Sequence, residues 1–204
     1  MWCPDCPPVR EARALFFESF WPNLGTVVVP LVVVLTASAW IVRRRLGPVP
    51  AAGVVLGIGL GGFVDGILLH QILQWHEMFS SVVPVTDVVG MKYNMIWDGM
   101  FHALTWAACA IGIGLLFHAG RRNDAVWSGR LLVGSMLAGW GMFNLVEGVL
   151  DHLVLGIHHV RPGATQTAWD WGFVVVGGAG FMLAGYLISR DAGERRRAAA
   201  TRGG

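Results

Sequence analysis

Residues 57–77 read GIGLGGFVDGILLHQILQWHE, and residues 139–159 read GWGMFNLVEGVLDHLVLGIHH. Laid over each other at an offset of 82, without a gap, Gly57 falls on Gly139 and Gly59 on Gly141. Asp65 falls on Glu147, Gly66 on Gly148, Leu68 on Leu150, His70 on His152 and His76 on His158. Apolar sequence produces chance matches among Leu, Val and Gly. It seldom aligns two histidines, a carboxylate and a glycine at once. Each stretch is followed by a related opening, WDGMF at 97–101 and WDWGF at 169–173. The pattern predicts a duplicated helical hairpin.

Both copies lie in runs fit for lipid. The chain has 204 residues, 54% hydrophobic and 14% charged, whereas a soluble domain carries about 25% charged residues. Five segments approach the roughly 20 apolar residues that cross a bilayer as a helix: 24–43, 52–76, 94–118, 130–155 and 167–188. In hydrocarbon their backbones must be helical, because lipid offers no partner for a free N–H or C=O. The expected fold is all-α: a five-span membrane domain over 24–188. Within it, repeat A (52–118) and repeat B (130–188) form a pseudo-two-fold four-helix bundle, and the N-terminal span packs outside. An even number of crossings separates the copies, so their axis runs along the membrane normal.

Charge placement gives the orientation. Arg43, Arg44, Arg45, Arg121, Arg122, Arg130, Arg190, Arg195, Arg196, Arg197 and Arg202 fall on one side, eleven against the four of Arg10, Arg13, Lys92 and Arg161. The basic side faces the cytoplasm. The expected location is a bacterial inner membrane, with the N-terminus outside and residues 189–204 as a basic cytoplasmic tail. The start, MWCPDCPPVR, lacks a basic region leading into an apolar core, so no cleavable signal is expected. Residues 1–23 read as a periplasmic leader containing an interfacial helix, VREARALFFESFW. Cys3 and Cys6 form a C-x-x-C that suits a disulfide or a metal but reads more simply as incidental thiols. The lipid bilayer is the expected partner, with a second copy or a membrane complex as further candidates. Nothing points to nucleic acid.

Ionisable residues inside a span are costly and mark function by default. With His76 and His158 at the outer boundary, His70 and His152 lie about 9 Å in, and Asp65 and Glu147 about 16 Å in. Descending from outside, Asp98 reaches about 6 Å and His102 about 12 Å, and Asp170 matches Asp98. One outer-half site is therefore expected from His70, His152, Asp98, Asp170, His102, Asp65, Glu147, His76 and His158. On an α-helix of about 100° per residue, His70 stands about 140° from Asp65. That arc argues against Asp65, His70 and His76 sharing one ion. Gly62 and Gly66 fill the gap and let a neighbouring helix approach.

Imidazole with carboxylate on facing helices of a bundle is a common metal site. This donor set suits iron, zinc or manganese. Copper(I) fits less well, because it prefers sulfur ligands. The Glu-x-x-His pairs of di-iron carboxylate bundles are absent, and His102 has no counterpart because Val174 stands there. Bis-histidine haem between His70 and His152, proton or cation passage, a purely structural network and a non-catalytic accessory role are the alternatives. No catalytic residue is assigned.

GFVDGILLHQILQWHEM, WDGMFHA, NLVEGVLDHLVLGIHHVR and WDWGF together resemble a family of bacterial multi-pass membrane proteins whose shared domain has no assigned function. The resemblance covers roughly residues 53–188. It implies a bacterial membrane protein and no particular activity.

Overall fold

The computed structural model describes residues 6–123 and 125–190. Cys3 and most of the expected tail, 191–204, lie outside that range. Every regular element among the described residues is helical. Helix α1 (Pro7–Asn23) runs through a π-helical turn at Leu24–Val28 into α2 (Val29–Leu46). Helix α3 (Pro48–Val64) continues as a π-helix over Asp65–Ile72. Helix α4 spans Val88–Gly120, and α5 (Gly129–Glu147) continues as a π-helix over Gly148–Val154. Helix α6 (Gln166–Gly172) passes through a π-helical stretch, Phe173–Gly180, and remains helical to 190.

Among the described residues, four helices are long and apolar enough to cross a membrane: Pro48–Ile72, Val88–Gly120, Gly129–Val154 and Gln166–Arg190. The stretch 24–43, expected as a further span, is helical but does not stand among these four. Arg43, Arg44 and Arg45 occupy the last turn of α2, so its 18 residues include three charges. Two boundaries also differ from expectation. The second segment stops being helical at Ile72, short of 76. Helix α4 begins at Val88, six residues before 94, because Asp87 caps it by accepting a hydrogen bond from the Gly90 N–H at 2.8 Å.

Glycine sets the helix order. A Cβ on Gly57 would overlap the Met136 carbonyl of α5, and a Cβ on Gly139 would overlap the Val54 carbonyl of α3. The backbones of α3 and α5 thus meet with no side chain between them. On its other side α3 uses Gly59 against Thr105 and Cys109 of α4, while α5 uses Gly141 against Gly178 and Met182. Small residues permit this approach in lipid, where packing rather than water drives association. Helices α3 and α5 are therefore central, flanked by α4 and by the α6 segment.

The expected interfacial helix is part of α1. Cys6, immediately before it, is disulfide-bonded rather than an incidental thiol. Helix α1 buries Ala12 and Phe16 against α4, where Phe16 and Phe20 pack on Trp97 at ring-centroid distances of 5.0 and 6.1 Å. Ser19 Oγ meets the Tyr93 hydroxyl at 2.9 Å. The connection 73–87 is tied down by Asn94 of α4. Its Oδ1 accepts the Phe79 N–H at 2.8 Å, and its Nδ2 donates to the Val83 carbonyl at 2.8 Å.

Candidate metal centre

The π-helical stretches Asp65–Ile72 and Gly148–Val154 decide the site. An i→i+5 hydrogen-bond pattern brings residues five apart onto one line, and such segments recur at functional sites. Asp65 and His70 are five apart, as are Glu147 and His152. The His70 Nε2 lies 3.3 Å from Asp65 Oδ2, and the His152 Nε2 lies 3.0 Å from Glu147 Oε1. The wide α-helical arc between Asp65 and His70 does not exist in the folded chain.

The helix ends next. Gln74 adopts a left-handed φ of 50°, and Gly156 a φ of 59°. The chain turns back at both places, and the histidine two residues later re-enters the core. The His70 and His76 rings are 4.5 Å apart, and the His152 and His158 rings 4.7 Å apart. A full 9 Å helical step had been expected between the members of each pair. The His76 and His158 rings stack on each other at 4.7 Å with 7° between their planes. Four buried imidazoles thus run His70, His76, His158, His152 across the bundle.

Each turn is held by the other half. The His76 Nδ1–H donates to the Val160 carbonyl at 2.9 Å, and the His158 Nδ1–H donates to the Met78 carbonyl at 2.9 Å. Asp98 Oδ1 accepts from the His70 Nδ1–H and from the Met78 N–H, both at 3.0 Å. Asp170 Oδ1 accepts the Val160 N–H at 2.9 Å and sits 3.6 Å from His152 Nδ1. Asp98 and Asp170 therefore face the outer ring nitrogens and the turn backbones.

A nitrogen that donates to a carbonyl carries its proton, which leaves the Nε2 of His76 as a lone pair in the neutral ring. The Nε2 atoms of His70, His76 and His152 are buried without a hydrogen-bond partner, as are Asp65 Oδ1 and Glu147 Oε2. His158 Nε2 lies 2.9 Å from Glu147 Oε1, the same oxygen that faces His152. Burial, followed by the His158 and His70 imidazoles, pushes His76 well below the ordinary imidazole range. Rings whose Nδ1 is fixed by a carbonyl or carboxylate, as in His70, His76 and His158, are the support arrangement of metal-bound histidine.

Two sets of three donors lie with their ligand atoms within 4.8 Å of one another: Asp65, His70, His76, and His76, His152, His158. The first set is the one that the helical arc argued against. His102, expected in the cluster, belongs to neither. Its Nδ1–H donates to the Asp98 carbonyl one turn back at 2.7 Å, and its ring packs on Phe63 and Phe101. Four residues of spacing suit a bond to the helix's own backbone, and Gly66 provides the space its ring occupies.

Sequence reasoning left two residues out of the site. Asp151 is 2% exposed, and its Oδ1 has no hydrogen-bond partner. Its spacing from Glu147 places it on the same face, which was the available signal. The half-exposed His159 donates from Nδ1 to Asp170 Oδ2 at 2.7 Å, linking the site to the surface. No pattern within the sequence points to that pair.

Asp65, Asp98, Glu147, Asp151 and Asp170 are all buried, and no lysine or arginine among the described residues is. Five carboxylates in a low-dielectric interior need compensating positive charge, supplied by protons or cations. The four-imidazole centre can take up either.

No curated protein and no solved structure matches the chain. Residues 52–192 match the family model described as "Predicted membrane protein (DUF2243)". That segment contains all four apolar helices but for the first four residues of α3, and every residue of the histidine–carboxylate centre. The chain belongs to this family of membrane proteins.

Proposed function

We propose that the protein is a polytopic inner-membrane protein whose outer half binds one or two transition-metal ions. The N-terminus lies outside, and the second half of the first helix is a fifth span. The bundle is read as a duplicated hairpin with a pseudo-two-fold axis. Reciprocal contacts support the duplication. His76 to Val160 and His158 to Met78 exchange at the same offset of 82, as do Gly57 with Met136 and Gly139 with Val54. The eleven-to-four distribution of basic residues supports the orientation.

The observation that carries the metal reading is the row of four buried imidazoles, three of them anchored through Nδ1, whose donors fall with Asp65 into two close groups of three. Donors about 3 Å apart match the edge of a coordination shell with metal–ligand bonds of about 2.0–2.2 Å. Imidazole and carboxylate favour iron, zinc or manganese. When bound, such an ion acts as a Lewis acid or a redox centre. Haem is disfavoured, because the stacked His76 and His158 rings fill the space that a macrocycle between His70 and His152 would occupy.

An apolar cavity of about 260 Å³ borders Phe101, whose ring stacks on His70 at 5.8 Å. It is lined by residues such as Val55, Ile58, Leu104 and Phe143. This placement favours a small or lipid-soluble substrate if the centre performs chemistry.

Elemental analysis of the detergent-purified protein tests the metal reading. The expected result is at least one ion per chain, falling to background in a His70→Ala/His152→Ala double variant. Metal-free, monodisperse wild-type protein would overturn it.

A second reading is proton or cation passage. Its support is the route from the half-exposed His159 through Asp170 towards His152. Among the described residues below Asp65 and Glu147, however, the only imidazole or carboxylate is His118, which is exposed. Proton flux into liposomes that disappears in Asp65→Asn, from protein free of metal, would favour this reading.

A further inference from the structure

Among the fully buried donors of the centre, the two halves differ in kind at Asp65 and Glu147 and in number at one position. Asp151 of the second half has Leu69 as its counterpart in the first at the offset of 82. Asp151 is as deeply buried as the histidines, with an unpartnered Oδ1. Its backbone carbonyl accepts the Ile157 N–H at 3.0 Å, so the residue sits at the start of the turn that returns His158. Glu147, His152 and Asp65 are its electrostatic neighbours. The next residue, His152, has its Nε2 3.0 Å from Glu147 Oε1 and its Nδ1 3.6 Å from Asp170 Oδ1. A buried carboxylate oxygen with no donor is expensive, and Asp65 Oδ1 and Glu147 Oε2 are in the same state.

We propose that the centre holds two cations in unequal half-sites, and that Asp151 is the ligand that makes them unequal. The first half-site consists of Asp65, His70 and His76. The second consists of Glu147, His152, His158 and Asp151. His76 belongs to both three-donor groups, so the half-sites abut, as in two-metal centres with ions about 4 Å apart. The second half-site offers two carboxylates to the first's one. It therefore selects the harder, more oxygen-loving cation and binds it more tightly. The first half-site, with one carboxylate and two imidazoles, keeps a position for an exogenous ligand. This inference rests on the metal reading above.

Mn(II) is the probe, titrated into full-length protein stripped with a chelator and followed by electron paramagnetic resonance. The wild type is expected to take up two ions per chain, with affinities at least about ten-fold apart and a spin-coupled signal at saturation. Asp151→Leu, which installs the first half's residue, is expected to weaken the tighter site by about 10–100-fold, the usual effect of losing a ligand or its support. The weaker site should be unchanged. Asp151→Asn, nearly the same in shape, should show the same selective loss and serves if the leucine variant does not fold. One ion per chain, or two sites equally affected by Asp151→Asn, would overturn the two-ion inference and leave the metal reading intact. No ion bound to the wild type would defeat the metal reading itself.

Discussion

A His76→Ala/His158→Ala double variant is expected to lose its metal completely and to unfold more easily than the wild type. These two rings are the stacked centre of the row of four, and each belongs to a group of three close donors. Removing both leaves no half-site with two imidazoles. At about 10–100-fold per lost ligand or support, retention through purification becomes negligible. Stability falls for a separate reason. Both Nδ1–H groups reach across to the opposite turn, on Val160 and Met78. Each carbonyl left without its donor costs about 1–3 kcal/mol. Elemental analysis reads the first effect and thermal unfolding in detergent the second. His102→Ala is the control: its ring bonds only to its own helix, so metal content should be unchanged. A double variant with full metal content would refute the assignment of the centre.

Gly57→Ala is expected to be the most damaging single-methyl change in the protein. The added Cβ would meet the Met136 carbonyl of α5, with the Met136 carbonyl carbon and Cα also close behind it. Overpacking usually costs about 1–3 kcal/mol because side chains can move aside. Here the obstacle is backbone, so one whole helix has to shift, and the cost should exceed that range. Gly139→Ala should behave alike against Val54. Because the exchanged histidine turns ride on these helices, metal content should fall together with stability. Gly99→Ala and Gly114→Ala set the baseline. Nothing lies within 4 Å of either added Cβ, and helix propensity alone predicts a gain of up to about 1 kcal/mol. Unfolding midpoints of the four variants, measured side by side, check the ranking. Equal midpoints would mean that α3 and α5 do not cross at Gly57 and Gly139.

Much of this was legible in the sequence, because membrane solvation restricts what a chain can do. Four apolar runs without backbone alternatives had to be helices, and their glycines had to be where helices meet. Asp65, His70, Glu147 and His152 announced themselves because an ionisable group in lipid is too costly to be incidental. Pairing Asp65 with His70 was another matter. Reading α-helical angles through residues 65–76 set them on different faces, because nothing in FVDGILLHQILQWH declares an i→i+5 turn. That turn follows from packing Gly66 against His102 and Phe101 while Asp98 anchors His70, interactions between residues far apart in the chain.

By itself the sequence determined the helical membrane architecture and displayed the 82-residue correspondence, and eight of the nine residues it singled out are buried in the fold. Only the tertiary structure decided that the chain turns back at Gln74 and Gly156, so that His76 and His158 stack at the centre. It also set the His102 ring on its own helix's backbone and buried Asp151 with its Oδ1 unpartnered. The physical reason is that helical periodicity carries information only while the helix lasts. Where the helix ends inside a low-dielectric core, a ring goes wherever a distant carbonyl needs a donor.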